Sequence, residues 1–284
     1  MTISEESNDA YHSDTKYLSR SMLMEFVERP SIFHGRYIGN TIPRKEATES
    51  MVRGTIIHSL VLEPQNDIIT FIPREIQSSD GKNTTKSAKE FVEQVRAEGK
   101  FPVSVKEYGE RIKPAVEAVK TCLRAMNVRR NDVYEKSLRW ENAASGIRCR
   151  CKPDIVCRRE NLTVVVDLKT TDEVTDEGFT YSVRDFGYWL QQSHYEEGVR
   201  DAFRIETPIE FVFVVVETKP PYACRQFQLE VDDAAISAVA RQNVLLDLAR
   251  RLESNNWSDP GTDQIKRIRV PRYVFKGFDK GETT

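Results

Sequence analysis

Hydrophobic residues follow a helical period in the first half of the chain and a strand-like pattern in the second half. Ser19 is a candidate N-cap for the apolar face of residues 21–27, and Pro30 closes that helix. Residues 50–62 have the composition of a mostly buried helix that ends near Pro64. Further helices are predicted over 86–98 and 104–126, with loops over 39–50 and 73–86.

From residue 133 onward, the pattern predicts a sheet interleaved with helices. The run Val164–Val166 is continuous and β-branched, as expected of a strand buried on both faces. Strands are predicted over 133–141, 146–157, 162–170, 209–218 and 225–231, and helices over 183–204 and 232–253. This order predicts an α/β fold with a mixed central sheet flanked by helices and with an N-terminal helical part.

The length of 284 residues is enough for one large domain with a sizeable core. Residues 1–16 are polar and acidic, and we expect them to form a flexible segment. Residues 17–284 are then a single domain, made of a helical part (17–130), an α/β core (131–255) and a basic C-terminal segment (256–284).

Composition narrows the class of protein. The longest apolar runs, Leu162–Val166 and Phe211–Val216, are far too short to cross a bilayer. The chain does not open on a basic-then-apolar leader, and its five cysteines are irregularly spaced. We therefore expect a cytoplasmic protein with reduced thiols and no membrane partner.

Charge is segregated along the chain although its total is nearly balanced. The 42 basic and 44 acidic side chains give a net charge of −2. Residues 100–160 hold fifteen basic and eight acidic side chains, and residues 265–276 hold five basic and no acidic ones. These segments could line a phosphate-binding surface, although a solvated face of mixed charge explains them equally well.

The pattern Asp/Glu-x-Lys occurs five times, starting at Asp14, Asp80, Glu98, Asp167 and Glu217. Only Asp167 both ends a buried strand and follows a paired strand that carries another acid, Asp154. Alternation places Asp167 and Lys169 on one face of their strand, and a hairpin near Asn161 brings Asp154 beside them. Two carboxylates and a lysine then converge. The alternative is a plain salt bridge at a strand end.

Such a convergence suits the hydrolysis of a phosphodiester bond. Two close carboxylates repel each other unless a cation lies between them. Mg²⁺ prefers oxygen ligands, acidifies its bound water and stabilises the charge of the transition state. A lysine on the same face can orient the attacking hydroxide and offset phosphoryl charge.

Three other side chains are candidates for the same site. His58 lies in an apolar helical stretch, where a packed core histidine is the commoner role, but imidazole is also a metal ligand when carboxylates are near. Gln191 and Tyr195 are four residues apart and share a helical face. Both could hydrogen-bond a phosphate or brace the lysine, and a surface pair on the helix is the alternative.

Several short motifs, taken in order along the chain, carry a family resemblance. They are Gly54-x-x-x-His58 with Leu62-Glu63-Pro64, Pro153-Asp154, Asp167-Leu168-Lys169-Thr170-Thr171 and Gln191-x-x-x-Tyr195. In these motifs the sequence resembles the RecB-type PD-(D/E)XK nucleases. It is similar in particular to the C-terminal nuclease domain of the exonuclease VIII (RecE) family, in Leu18–Ser21, Arg29-Pro30, Ser137–Glu141 and Gly146–Asp154.

The resemblance implies a PD-(D/E)XK fold and a Mg²⁺-dependent exonuclease, with Mn²⁺ as an alternative ion. Enzymes of this family degrade one strand of linear double-stranded DNA from its 5′ end. They leave a 3′ overhang for a single-strand annealing protein of the RecT type, in phage- or prophage-type recombination and repair. The resemblance also implies a ring-shaped homo-oligomer.

The resemblance extends to individual residues. The metal ligands of the family correspond to His58, Asp154, Asp167 and the carbonyl of Leu168. The catalytic lysine corresponds to Lys169, Gln191 and Tyr195 match the downstream motif, and Glu135 lies where related nucleases often carry an acid.

Two alternatives to a double-strand exonuclease stay open. One is a RecB-type DNA endonuclease or single-strand nuclease. The other is a non-catalytic scaffold that binds DNA ends, against which the intact set of His58, Asp154, Asp167 and Lys169 argues.

The residues around Asp154 suggest two further expectations. Cys149 and Cys151 share a strand face, and together with Cys157 they lack the spacing of a four-cysteine site, so we expect packing residues and no iron–sulfur cluster. Basic residues are candidates for contacts with DNA phosphates, with surface solvation as the alternative for each. They are Arg148, Arg150 and Lys152 for the backbone, and Arg29 or Arg36 for a 5′ phosphate.

Overall fold

The structure, a computed structural model, describes residues 2–6, 8–44, 47–262, 265 and 267–275. Its strands are β1 (Thr2–Ser4), β2 (Ile69–Phe71), β3 (Phe101–Val103), β4 (Val133–Tyr134), β5 (Ser137–Glu141), β6 (Arg148–Cys151), β7 (Ile155–Arg158), β8 (Thr163–Thr171), β9 (Ile209–Glu217) and β10 (Cys224–Phe227). Its α-helices are α1 (Asn8–Ser13), α2 (Arg20–Glu28), α3 (Pro30–Tyr37), α4 (Glu49–Leu62), α5 (Lys86–Ala97), α6 (Val105–Glu107), α7 (Lys113–Ala125), α8 (Asp176–Asp185), α9 (Tyr188–Phe203) and α10 (Val231–Ser254).

The central sheet is mixed and has five strands, in the order β10-β9-β8-β7-β4. β8 and β9 run parallel, whereas the other neighbours are antiparallel. Because a parallel pair needs a long crossover, the chain between β8 and β9 forms the helices α8 and α9. The predicted α/β fold with a mixed sheet and flanking helices is confirmed.

Alternate residues of β8 and β9 supply two hydrophobic cores, one on each face of the sheet. Val165 and Phe213 belong to a core that also contains residues of α2, α9 and α10. Val166 and Val214 belong to the opposite core, with residues of α4 and α7. Burial on both faces explains the continuous apolar sequence of these strands. Asp167 and Lys169, two and four residues after Val165, lie on the same face of β8 as Val165 and so point towards α9.

Two of the predicted strands are broken. The predicted strand 133–141 is split into β4 and β5, which belong to different sheets, because Glu135 adopts the left-handed φ of 50° and turns the chain. The predicted strand 146–157 is split into β6 and β7 at Pro153-Asp154, since proline has no N–H for a strand ladder. β5 and β6 pair with β1 in a separate three-stranded sheet.

Two of the predicted helices are interrupted. The predicted helix 183–204 covers the last residues of α8 and the whole of α9. The break between these two helices falls at Gly187, whose φ of 65° favours glycine. The predicted helix 104–126 contains a π-helical turn, Tyr108–Ile112, between α6 and α7. Ser19 is the N-cap of α2, as predicted, and accepts a hydrogen bond from the N–H of Met22.

The two ends of the chain complete the fold. Where the sequence indicated a flexible segment over 1–16, Thr2–Ser4 pair with β5 and Asn8–Ser13 form α1. Lys266 and Lys276 of the basic segment 265–276 lie outside the described residues.

Among the helices that the structure describes, none is both long enough and apolar enough to cross a bilayer.

Candidate active site

β7 and β8 bring together the two acids that the sequence singled out. β7 begins directly after Asp154, and Ile155 pairs with Val166, so Asp154 lies opposite Asp167 at the next step of the antiparallel ladder. The backbone N–H of Leu168 donates a hydrogen bond to Oδ2 of Asp154 at 2.6 Å. Only 11% of the Asp154 side chain and 4% of the Asp167 side chain are exposed.

His58 and Glu135 complete a cluster around Asp154. His58 on α4 places Nδ1 3.6 Å from Oδ2 of Asp154, and it also hydrogen-bonds the backbone of Leu168. The backbone N–H of Glu135 donates to the carbonyl of Asp154 at 3.1 Å. One potential ligand atom from each of His58, Glu135 and Asp154 lies within 4.8 Å of the other two. The resemblance implied Asp167 rather than Glu135 as the partner of these ligands.

Lys169 lies on the same side of β8 as Asp167, as strand alternation predicted. Its ammonium forms an ion pair with Oδ2 of Asp167 and lies 4.7 Å from the centre of the Tyr188 ring. Gln191 on α9 donates a hydrogen bond from Nε2 to Oδ1 of the same carboxylate. Asp167 therefore holds the lysine on one oxygen and is itself held on the other.

Sequence reasoning missed two contacts of this site. Tyr188 precedes Gln191 by three residues, so the helical period already placed both on one face, and that signal could have identified it. Lys152 places Nζ 2.6 Å from Oε2 of Glu135. The sequence carries no signal for this second contact, because the two residues reach each other only through the separate turns after β4 and β6.

Burial and mutual repulsion shift the ionisation of the cluster. Burial, and then the charge of Asp167, raises the pKa of Asp154 to about 8. Burial, and then the charge of Asp154, raises the pKa of Glu135 to about 7. Burial and then the charge of Lys169 lower the pKa of His58, which favours the neutral imidazole. These shifts are the ones expected where ligands of a cation are crowded together.

Within the described part of the chain, Tyr195 makes no hydrogen bond to the carboxylates of Asp154 or Asp167, whereas Gln191 donates one to Asp167. Its ring packs edge-on against Phe211, with ring centres 6.1 Å apart, in the core on the α9 side of the sheet. Burial raises the pKa of its hydroxyl well above the ordinary value. The aromatic side chain that contacts Lys169 is Tyr188.

The basic residues considered for phosphate contacts are mostly engaged within the protein. Arg150 is 2% exposed, and its guanidinium lies 4.3 Å from the centre of the Tyr11 ring. This burial contradicts both interpretations of Arg150 that the sequence offered, a contact with a DNA phosphate and a solvated surface position. Arg148 on the same strand is exposed, and it stays a candidate for a contact with a DNA phosphate. Arg29 and Arg36 form ion pairs, with Asp259 and Glu25 respectively.

The three cysteines near Asp154 lie in the hydrophobic cores. Cys149 and Cys151 are fully buried on one face of β6, and Cys157 is buried in the core of α4 and α7. Burial raises the pKa of Cys149 and of Cys157 to about 12. All three are thus placed as packing residues.

Comparison with known protein families identifies the domain. Residues 19–261 match a family described as "PDDEXK-like domain of unknown function (DUF3799)". The chain belongs to this family. The PD-(D/E)XK fold that the sequence motifs implied is therefore confirmed. No curated protein matches the sequence of this PDDEXK-like chain.

Solved structures that match this PDDEXK-like chain include two crystal structures. The crystal structure of a "Putative exonuclease" from Eubacterium rectale has a TM-score of 0.57 at 14% sequence identity, and the match covers 98% of this chain and 99% of that chain. At this identity the likeness shows a shared fold. The crystal structure of SSO0001 has a TM-score of 0.27 at 14% identity, over 75% of this chain and 91% of that chain, which is too low to support a conclusion.

The PDDEXK-like site has the donors that a divalent cation requires. One imidazole nitrogen and two carboxylates converge in His58, Glu135 and Asp154, and Asp167 lies alongside. Two of the carboxyls have raised pKa values, so a cation among them would remove a repulsion that already exists. The ammonium groups of Lys152 and Lys169 each hold one of the acids in place.

Proposed function

We propose that this chain is a Mg²⁺-dependent exonuclease that degrades linear double-stranded DNA in the cytoplasm. One observation carries the proposal. His58 of α4, Glu135 of the turn after β4 and Asp154 directly before β7 meet beside the Asp167–Lys169 ion pair of β8 in a PDDEXK-like fold. A metal-ligand cluster next to a held lysine suits the hydrolysis of a phosphodiester bond.

The residues divide the chemical work between them. His58, Glu135 and Asp154, with Asp167 and the Leu168 carbonyl beside them, would hold a divalent ion, Mg²⁺ or Mn²⁺. When bound, this ion supplies an acidified water and disperses phosphoryl charge. Lys169 directs its ammonium to the same place and offsets the charge that develops on the phosphoryl oxygens. Gln191 fixes the carboxylate that holds this lysine.

The direction of digestion rests on the sequence motifs shared with the exonuclease VIII family. On that basis we propose 5′→3′ digestion that leaves 3′ overhangs. A single-strand annealing protein of the RecT type would take up these overhangs in homologous recombination.

A ring-shaped homo-oligomer is part of the same proposal. Ile236, Val239 and Leu246 on α10 are spaced three and seven residues apart, and each is exposed. An exposed apolar stripe of this kind supports burial against another copy of the chain. Light scattering on the full chain should give the mass of a closed oligomer, and charged substitutions at Ile236 and Val239 should reduce it.

Digestion of end-labelled DNA tests the activity. With Mg²⁺, we expect mononucleotides from a linear duplex, a surviving 3′-labelled strand and an intact closed circle. Cleavage of the circle would identify an endonuclease, and preference for denatured DNA a single-strand nuclease. Binding of ends without any release would leave only a scaffold.

Lys169 provides the matched test of the site within this assay. Lys169→Ala should lower the rate roughly 10²–10³-fold, the usual effect of removing one electrostatic donor from an active site. The exposed Lys89 is the control, because its replacement by alanine removes the same charge from α5 and should leave the rate unchanged. Equal digestion by both variants would reject the proposed site.

A further inference from the structure

Cys122 and Cys224 form a second group of chemically reactive side chains, separate from the candidate active site. Cys122 lies on α7, and Cys224 begins β10, the edge strand of the central sheet. The two thiols are hydrogen-bonded to each other, and the amide of Gln226 donates from Nε2 to Sγ of Cys122 at 3.5 Å. Both cysteines are partly exposed, whereas the other three of the chain are buried.

Small solutes can reach this pair of thiols. Both cysteines line an open cleft of about 550 Å³ between α7 and β10, together with Glu117, Thr121 and Gln226. Solutes dissolved in water can therefore react with Cys122 and Cys224, whereas solvent does not reach the cysteines in the two cores.

The hydrogen bonds assign different roles to the two sulfurs. Donation from the Cys224 thiol, and then from Gln226, stabilises a thiolate on Cys122 and lowers the pKa of Cys122 to about 7, although burial opposes this. The same contact and burial raise the pKa of Cys224. Gln226 donates to Cys122, so Cys122 is the nucleophile and Cys224 is the second thiol.

We propose that Cys122 and Cys224 are a peroxide-sensitive pair that forms a reversible disulfide between α7 and β10. The Cys122 thiolate attacks one oxygen of hydrogen peroxide, the O–O bond breaks, and the products are a sulfenic acid and a hydroxide that is protonated to water. The sulfur of Cys224 then attacks the sulfenic sulfur. The S–S bond forms as the S–O bond breaks, and the hydroxide leaves as a second water with the Cys224 proton. The two thiols lose two electrons, and the peroxide gains them.

The position of this disulfide gives it a structural consequence. α7 shares its core with α4, the helix that carries His58, and β10 pairs with β9. The bond would close a loop that runs from Cys122 to Cys224 and contains β7, β8 and β9. Closing a long loop raises thermal stability, so the oxidised chain should melt at a higher temperature than the reduced chain. This inference does not depend on the proposed nuclease activity.

Peptide mapping of the full chain tests the proposal. The folded protein is treated with hydrogen peroxide, its remaining thiols are alkylated, and it is digested with trypsin without reduction. Trypsin separates the two cysteines, because it leaves Cys122 in 121–124 and Cys224 in 205–225. We expect these two peptides to be linked, two hydrogens lighter than their sum, and to be released by dithiothreitol. Cys149, Cys151 and Cys157 should stay reduced as internal controls.

Single variants establish the order of the two steps. In Cys224→Ser, Cys122 should accumulate as a sulfenic acid that dimedone traps. In Cys122→Ser, Cys224 should remain a free thiol at the same peroxide concentration. The proposal is overturned if both thiols of the wild-type chain stay reduced, if Cys122 oxidises to a sulfinic acid while Cys224 stays free, or if cross-links form between other cysteines.

Discussion

Gln191 on α9 donates a hydrogen bond to Oδ1 of Asp167 on β8, and Oδ2 of the same carboxylate holds the ammonium of Lys169. The helix that crosses between two parallel strands thus fixes an acid on the first of them. Only 4% of the Asp167 side chain is exposed, so in the intact protein this amide, and not bulk water, donates to Oδ1.

Replacing Gln191 should therefore impair catalysis through Asp167. We expect Gln191→Ala to lower DNA digestion roughly 10–100-fold, the usual effect of losing a group that orients a metal-site residue. The neighbouring Gln192 is the control, since its amide donates to Glu196 on its own helix. Initial rates of nucleotide release measure both variants. Equal rates for Gln191→Ala and Gln192→Ala would show that the hydrogen bond to Asp167 has no role.

Tyr188 should act as a positioning residue for Lys169. Its ring lies 4.7 Å from the ammonium, and a cation–π contact of this kind contributes about 0.5–2 kcal/mol. Tyr188→Leu should lower kcat about two- to thirty-fold with little change in KM. Tyr188→Phe keeps the ring and should retain most of the wild-type kcat. A KM effect of the same size in both variants would instead indicate contact with the substrate.

Gly198 sets how closely α9 approaches the small sheet. A Cβ at this position would lie 2.6 Å from Cζ3 of Trp140 and 2.8 Å from Sγ of Cys151. Gly198→Ala should lower the free energy of unfolding by about 1–3 kcal/mol through overpacking. Urea denaturation measures this, with Gly109→Ala as the control, because nothing lies within 4 Å of a Cβ at Gly109. A stability equal to wild type would show that α9 can shift without cost.

His194 should make the stability of the fold depend on pH. Its Nε2 pairs with the carbonyl of Arg150 at 3.0 Å, and burial, followed by the charge of Arg241, lowers the pKa of His194 to about 3. Between about pH 6.5 and pH 3, His194 is therefore protonated in the unfolded chain but neutral in the folded chain. The contribution is fully present above the unfolded pKa and is lost as the pH falls towards 3.

Urea denaturation across this pH range measures the contribution of His194. When the free energy of unfolding is plotted against pH, the contribution of His194 to the slope should approach about 1.4 kcal/mol per pH unit below pH 6. In His194→Gln this part of the slope should disappear, whatever the absolute stability of the variant. Parallel slopes for wild type and variant would contradict a depressed pKa.

Local patterns predicted how Asp154, Asp167 and Lys169 lie relative to one another. Strand alternation placed Asp167 and Lys169 on one face, and a short hairpin brought Asp154 next to them, because both relations depend on period and on neighbouring strands alone. The α/β class followed from the same patterns.

Contacts between segments that are distant in the sequence could not be predicted from local patterns. The turn at Glu135, whose positive φ separates β4 from β5, is not encoded by glycine or asparagine, so the chain was predicted to continue as a strand. Arg150 shares its strand face with the exposed Arg148, yet it is buried because Tyr11, from the N-terminal segment, covers it. Both outcomes depend on tertiary packing, which a strand pattern does not contain.

The most direct measurement is nucleotide release from linear duplex DNA by Asp154→Asn, set beside the exposed control Asp201→Asn, with Mg²⁺ present and then chelated by EDTA. We predict that the wild-type chain and Asp201→Asn digest the DNA with Mg²⁺ and stop in EDTA, and that folded Asp154→Asn releases no nucleotides in either condition. Digestion that persists in EDTA, or in Asp154→Asn with Mg²⁺, would contradict a metal-dependent nuclease site at these residues.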